Sequence, residues 1–171
     1  MQSLAWKIAV LGDTGVGKTS LVRRLVYDTY IQDMEKSEKS EMYRKKMPYV
    51  ENGKKKEVLL LIFDITSYEK SMEKLVNGAK GIMIVGDVTD KDSLKSMEKY
   101  AKIVREKVGD RPIVFVGNKG DLKYMAEFWE DELSALAKKY NASYIIVSAK
   151  TNQNVFEAFE LIVDEIVKRQ N

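Results

Sequence analysis

Gly12-Asp13-Thr14-Gly15-Val16-Gly17-Lys18-Thr19 decides how the rest of this chain is read. Its spacing, G-x-x-x-x-G-K-[ST], is that of a loop which cradles phosphate groups. Gly15 and Gly17 let the backbone curl, so that successive N–H groups from Asp13 through Ser20 point at phosphate oxygens. Lys18 is placed to reach the β- and γ-phosphates, and the Thr19 hydroxyl to bind Mg²⁺. The flanks supply the context this chemistry needs. Leu4 to Leu11 reads as a strand, and Lys18 to about Tyr27 as a helix whose N-terminus favours an anion.

Working outward, short apolar runs alternate with helical patterns, which predicts an α/β sheet with crossover helices. Val58 to Phe63, Ile82 to Val85, Ile113 to Val116 and Tyr144 to Val147 read as strands buried on both faces. Asp92 to Val108, Trp129 to Tyr140 and Asn154 to Lys168 carry apolar residues at helical spacing, with Asn154 and Glu157 as a cap pair. Asn52-Gly53 signals a hairpin, making Ser40 to Val50 an antiparallel edge strand. Residues 29 to 47 fit a helix and a loop equally.

Composition excludes several chemistries. The chain has 171 residues, 29 Lys/Arg against 26 Asp/Glu, and neither Cys nor His. Without those two residue types there is no disulfide, thiolate nucleophile, Cys/His zinc site or His-based proton transfer. A net charge of +3 is too small to point to nucleic acid. No apolar run is long enough to span a bilayer. With no Cys, and Gln2 after Met1, no lipid anchor is expected on this chain, and a cytoplasmic location is.

Two further motifs choose among nucleotides. Asn118-Lys119-Gly120-Asp121 follows the strand Ile113–Val116, at the end where open α/β sheets bind ligands. The Asp121 carboxylate can accept from N1–H and the 2-amino group of guanine together, which adenine does not offer. Ser148-Ala149-Lys150 follows the next strand, where a backbone N–H can reach guanine O6.

With these motifs the sequence resembles the Ras-like small GTPases, from Lys7 to Val167. The phosphate loop and Asp87-Val88-Thr89-Asp90 look most like the Rab branch, in a prokaryotic or archaeal-type member with divergent switch regions. The resemblance implies a P-loop NTPase fold, a Ras-like G domain over residues 1–171. Its sheet would have six mostly parallel strands, one antiparallel edge strand and helices on both faces. It implies that Asn118 and Asp121 hold the base and Lys119 packs along the ribose. Ala149 would contribute its N–H from the loop it shares with Ser148 and Lys150, and Tyr30 would lie against the guanine ring. It further implies Mg²⁺, GTP or GDP as ligand, and protein effectors and regulators at residues about 30–47 and 64–76.

The switch segments depart from the family pattern. Asp64-Ile65-Thr66-Ser67-Tyr68 stands where the family has Asp-x-x-Gly followed by Gln. Asp64 fits a role in holding Mg²⁺ through water. Ser67 replaces the glycine whose N–H meets the γ-phosphate. Tyr68 replaces the Gln that orients the attacking water, and reads as a catalytic substitute or as a partner-facing aromatic. The family's Pro-Thr is missing, and counting back from the hairpin makes Ser40 the metal hydroxyl, with Ser37 second. Arg44-Lys45-Lys46 and Lys54-Lys55-Lys56 are expected near each other across the hairpin, as a solvated edge or a face for an acidic partner or membrane. Arg23 and Arg24 are expected to face solvent or acids. These features predict a GTP/GDP switch with slow hydrolysis. The alternative is a guanine-nucleotide-binding adaptor with negligible turnover; an ATP-using P-loop kinase is disfavoured by Asn118 and Asp121.

Overall fold

The computed structural model describes residues 4–27, 41–65 and 70–170; Tyr30, Ser37, Ser40, Ser67 and Tyr68 lie outside them. In chain order the elements are β1 (Leu4–Leu11), α1 (Lys18–Tyr27), β2 (Glu41–Glu51), β3 (Lys54–Asp64), α2 (Lys70–Asn77) and β4 (Gly81–Asp87). Then follow α3 (Lys91–Lys107), β5 (Ile113–Asn118), a 3-10 segment (Gly120–Met125), α4 (Glu130–Lys139), β6 (Ser143–Ile146) and α5 (Val155–Gln170).

One six-stranded sheet in the order β2-β3-β1-β4-β5-β6 organises these elements. Of its strand pairs, β2–β3 is antiparallel and β1–β3, β1–β4, β4–β5 and β5–β6 are parallel. The β2–β3 turn, Asn52-Gly53, has φ of 53° and 76°, the double left-handed backbone that matches strand twist in a two-residue hairpin. The five parallel strands end at the same edge of the sheet. That brings the segments after Leu11, Asp64, Asp87, Asn118 and Ile146 into one neighbourhood, and the order reverses at β1, where ligands of such sheets bind.

Alternation along β1 sends side chains to two cores. Trp6, Ile8 and Val10 meet Leu21 and Leu25 of α1 and Phe159, Ile162 and Ile166 of α5. Ala9 and Leu11 join Met97, Ala101 and Val104 of α3 and Leu133 and Leu136 of α4 on the other face. Both β4 and β5 are buried at every residue, as expected where helices cover both faces. Among the described residues, no helix is long and apolar enough to cross a membrane.

Several expectations need correction. The β3 strand is not buried on both faces: Val58, Leu60 and Ile62 are buried, whereas Leu59, Leu61 and Phe63 are half-buried. The reason is lateral, because α3 packs over β4 rather than over β3. The β6 strand, at the sheet edge, leaves Tyr144 exposed, and Val147 falls after it. Asn154 has φ of 59°, not the extended backbone of a side-chain N-cap, and its amide donates to the Ile146 carbonyl at 3.0 Å. The basic clusters occupy successive stations rather than facing ones. Lys54 to Lys56 sit opposite Tyr49 to Glu51, with Lys56 paired to Glu51 at 2.6 Å, while Arg44 to Lys46 sit opposite Leu59 to Leu61. The helix α2 was not foreseen.

Phe159 is fully buried between α5 and the sheet. Truncating it to Ala is expected to remove about 3–5 kcal/mol of stability, read as a lower urea midpoint with an unchanged slope. A midpoint near wild type would show that this core does not depend on the ring.

Candidate nucleotide site

The phosphate loop runs from the end of β1 into α1. Gly12 passes under β4 so closely that a Cβ there would stand 2.5 Å from the Val85 carbonyl oxygen. Gly17 has φ of 92°, and a Cβ on it would overlap the Asn118 side-chain amide. These two contacts, rather than a general need for flexibility, demand glycine. Lys18 is 6% exposed, and its ammonium donates to the Gly12 carbonyl at 2.6 Å. Burial pushes the Lys18 ammonium below its ordinary value, and the carboxylates of Asp64 and Asp13 pull it part of the way back. Asp13 and Ser20 are half-buried, Thr14 and Gly15 exposed, and Val16 is anchored in the core.

At the end of β3, Asp64 is 1% exposed and its Oδ2 accepts a short hydrogen bond from the Thr19 hydroxyl. Two oxygen donors therefore meet beside Lys18.

On the other side of the loop, Asn118 ends β5 with 2% exposure. Its Nδ2 donates to the Val16 carbonyl at 2.9 Å, and its Oδ1 accepts from the Ala149 N–H at 3.2 Å. Asp121 Oδ1 accepts from the fully buried Ser148 hydroxyl at 2.7 Å. Gly120 N–H donates to the Val147 carbonyl at 2.9 Å, stitching the two loops by backbone as well. Lys119 has a left-handed φ of 65°, and its ammonium pairs with Asp87 at 2.8 Å and donates to the Gly15 carbonyl at 3.1 Å. Lys150 is exposed at the rim. Among described residues, the structure thus links the phosphate loop to Asp64 through Thr19, to Asn118 and Lys119, and through Asn118 and Asp121 to the loop of Ser148 to Lys150.

The family model described as Ras family matches residues 7–168. The chain belongs to the Ras family.

Ras-like protein rasB of Dictyostelium discoideum is 32% identical over 168 residues, covering 95% of this chain and 83% of that protein. GTP-binding protein rhb1 of Schizosaccharomyces pombe is 33% identical over 174 residues, covering 96% and 89%. Ras-related protein ralB-A of Xenopus laevis is 30% identical over 166 residues, covering 94% and 78%. These names do not support the expected nearness to the Rab branch or to a prokaryotic or archaeal type. Ras-family proteins are small GTPases that bind GTP or GDP with Mg²⁺ and engage effectors and regulators. The hydroxyl of Thr19 and the carboxylate of Asp64 fit such a cation, since Mg²⁺ prefers hard oxygen ligands and uses few protein groups beside phosphate and water.

Four residues make contacts at or beside this Ras-family site that escaped the sequence reading. Asp87, quoted only within a motif, anchors Lys119 and also accepts from the Thr89 N–H and hydroxyl at 2.9 and 2.6 Å. Arg24 does more than face solvent or acids, donating to the carbonyls of Ala149 and Lys150. Arg23 donates to the Tyr43 hydroxyl at 3.2 Å. Tyr100 of α3 donates its hydroxyl to Asp13 Oδ1 at 3.2 Å, a contact across 87 positions that no local pattern signals.

Burial, then the charge of Asp13 and the hydrogen bond to it, push the Tyr100 phenol up from 10.0 to about 12. The folded state thus keeps this proton longer than the unfolded chain does. The resulting stability is fully present below pH 10 and is lost as pH rises toward 12. Between those values the urea midpoint of the wild type should fall more steeply than that of Tyr100→Phe. A late phenolate step in ultraviolet absorbance should also vanish in the variant. Parallel midpoint curves with the late step retained would contradict this assignment.

Proposed function

We propose that this Ras-family chain is a GTP/GDP switch with slow, Mg²⁺-dependent hydrolysis. The observation that carries the proposal is the double engagement of Asn118, which holds the phosphate loop at Val16 and the third loop at Ala149 at once. A ligand with phosphates at one end and guanine at the other bridges those loops. In this reading Asp121, oriented by Ser148, accepts from guanine N1–H and the 2-amino group. The Ala149 N–H turns to O6, Lys119 lies along the ribose, and Lys150 and Tyr30 flank the base.

At the other end the loop N–H groups from Asp13 to Ser20 hold phosphate oxygens. Lys18 exchanges the Gly12 carbonyl for phosphate, which compensates the ammonium for its burial. Thr19 and Asp64, with Ser40 as the further hydroxyl of the sequence reading, would hold Mg²⁺, which would supply charge neutralisation for phosphoryl transfer. Catalysis is positioning plus charge stabilisation by the loop N–H groups and Lys18, with Ser67 and Tyr68 as the residues that stand in the sequence where the family has Gly and Gln. Residues about 30–47 and 64–76 carry the switch to effectors and regulators in the cytoplasm. Ser67 and Tyr68, in place of Gly and Gln, favour a second reading: an adaptor with negligible turnover.

Denaturing the purified protein and chromatographing what it releases should yield guanine nucleotide. Single-turnover hydrolysis should then proceed with Mg²⁺ at or below roughly 10⁻⁴ per second, and stop without it. Released adenine nucleotide would overturn the proposal; GTP that persists unconverted with Mg²⁺ would select the adaptor. Asp121→Asn replaces an acceptor by a donor, so preference should move from guanine toward xanthine by at least about a hundredfold. An unchanged guanine preference would remove Asp121 from the base site.

A further inference from the structure

The loop carrying Ser148, Ala149 and Lys150 is gripped from two sides. Its inner side meets Asn118 and Asp121, through the Ala149 N–H and the Ser148 hydroxyl. From behind, Arg24 donates through Nε to the Ala149 carbonyl at 2.8 Å and through Nη2 to the Lys150 carbonyl at 2.6 Å. Arg24 stands in α1, six positions after Lys18, so one helix carries the phosphate lysine at its start and this clamp less than two turns on. Beyond the clamp the loop closes on itself, with Ser148 and Gln153 exchanging backbone hydrogen bonds at 2.9 and 3.0 Å.

Arg24 adds to these backbone bonds a side-chain grip on two successive carbonyls. The loop spans a short turn after the four-residue edge strand β6, with Thr151, Asn152 and Gln153 exposed. A guanidinium fork is planar and presents two donors in fixed geometry, so it sets the direction of two successive carbonyls. Arg24 holds the Ala149 carbonyl, while the Ala149 N–H rests on Asn118 Oδ1, a neutral acceptor that purine O6 can replace.

We infer that Arg24 is a positioning residue for guanine recognition: by holding the Ala149 and Lys150 carbonyls it aims the Ala149 N–H at the place of purine O6 and locks that donor to the phosphate helix. This rests on the base-site reading of the preceding section. Recognition of the 2-amino group, by contrast, belongs to Asp121, which stands on the segment after β5 and meets the clamped loop only at the Ser148 hydroxyl, a residue whose carbonyl Arg24 does not hold. Loss of Arg24 therefore weakens the O6 interaction selectively.

The test compares dissociation of three diphosphates from the full chain: GDP, the inosine analogue lacking the 2-amino group, and the 6-thioguanosine analogue, in which sulfur, a weak acceptor, replaces O6 while N1–H and the 2-amino group stay. From the wild type both analogues leave faster than GDP. In Arg24→Gln, GDP should dissociate about tenfold faster, the scale of lost charge-assisted hydrogen bonds. The penalty for replacing O6 by sulfur should shrink severalfold while the penalty for removing the 2-amino group stays. Arg24→Lys keeps the charge and the stem but offers no fork, so its O6 penalty should fall between the two; it carries the test if Arg24→Gln fails to fold. A variant that melts earlier and releases all three ligands faster by one common factor would make Arg24 a structural clamp only and overturn the inference. A wild type indifferent to O6 would instead overturn the base-site reading beneath it.

Discussion

The side-chain amide of Asn118 joins three stretches of chain that are far apart in sequence. Its donor end takes the Val16 carbonyl and its acceptor end the Ala149 N–H, and it is buried at the end of β5. A buried amide left unsatisfied is strongly destabilising, so each partner has to stay in place. Gly17 is required for the same reason, because a Cβ there would occupy the space of this amide. Asn118 can do this because parallel strands deliver all their following loops to one edge of the sheet.

Around that tie the charges are arranged for an anionic ligand. Lys18 is a buried cation whose burial is only partly offset by Asp64 and Asp13. Lys119 is likewise directed at the phosphate loop, from an uncommon left-handed backbone stabilised by its ion pair with Asp87. Tyr100 adds a neutral donor to Asp13 from α3. Together these contacts hold the loop in shape by side chains from α1, α3 and the ends of β4 and β5. In this geometry phosphoryl transfer needs no histidine or cysteine, so the absence of both is compatible with membership of the Ras family.

Much of this was readable in the sequence, since the deciding features are local. A phosphate loop needs glycine where backbone and ligand approach, followed at once by Lys and Thr on a helix. Asn118 to Asp121 and Ser148 to Lys150 likewise sit at fixed offsets after apolar strands. The Asn-Gly hairpin and the antiparallel edge strand followed from turn chemistry alone. For β3 and β6, prediction went astray over burial. An apolar run such as Val58 to Phe63 looks alike whether one or both faces are covered, and only the lateral position of α3 decides which.

By itself, then, the sequence determined the α/β class, the succession of six strands and every α-helix but α2, and it put the Gly12–Thr19, Asn118–Asp121 and Ser148–Lys150 motifs after strands, because spacing and residue type specify them locally. What only the tertiary structure decided is which of those residues brace one another. The carbonyls held by Arg24, the pairing of Lys119 with Asp87 and the reach of Tyr100 to Asp13 join positions up to 126 residues apart. Side-chain reach of a few ångströms has no periodicity along a chain. It exists only once the parallel sheet has brought those ends together.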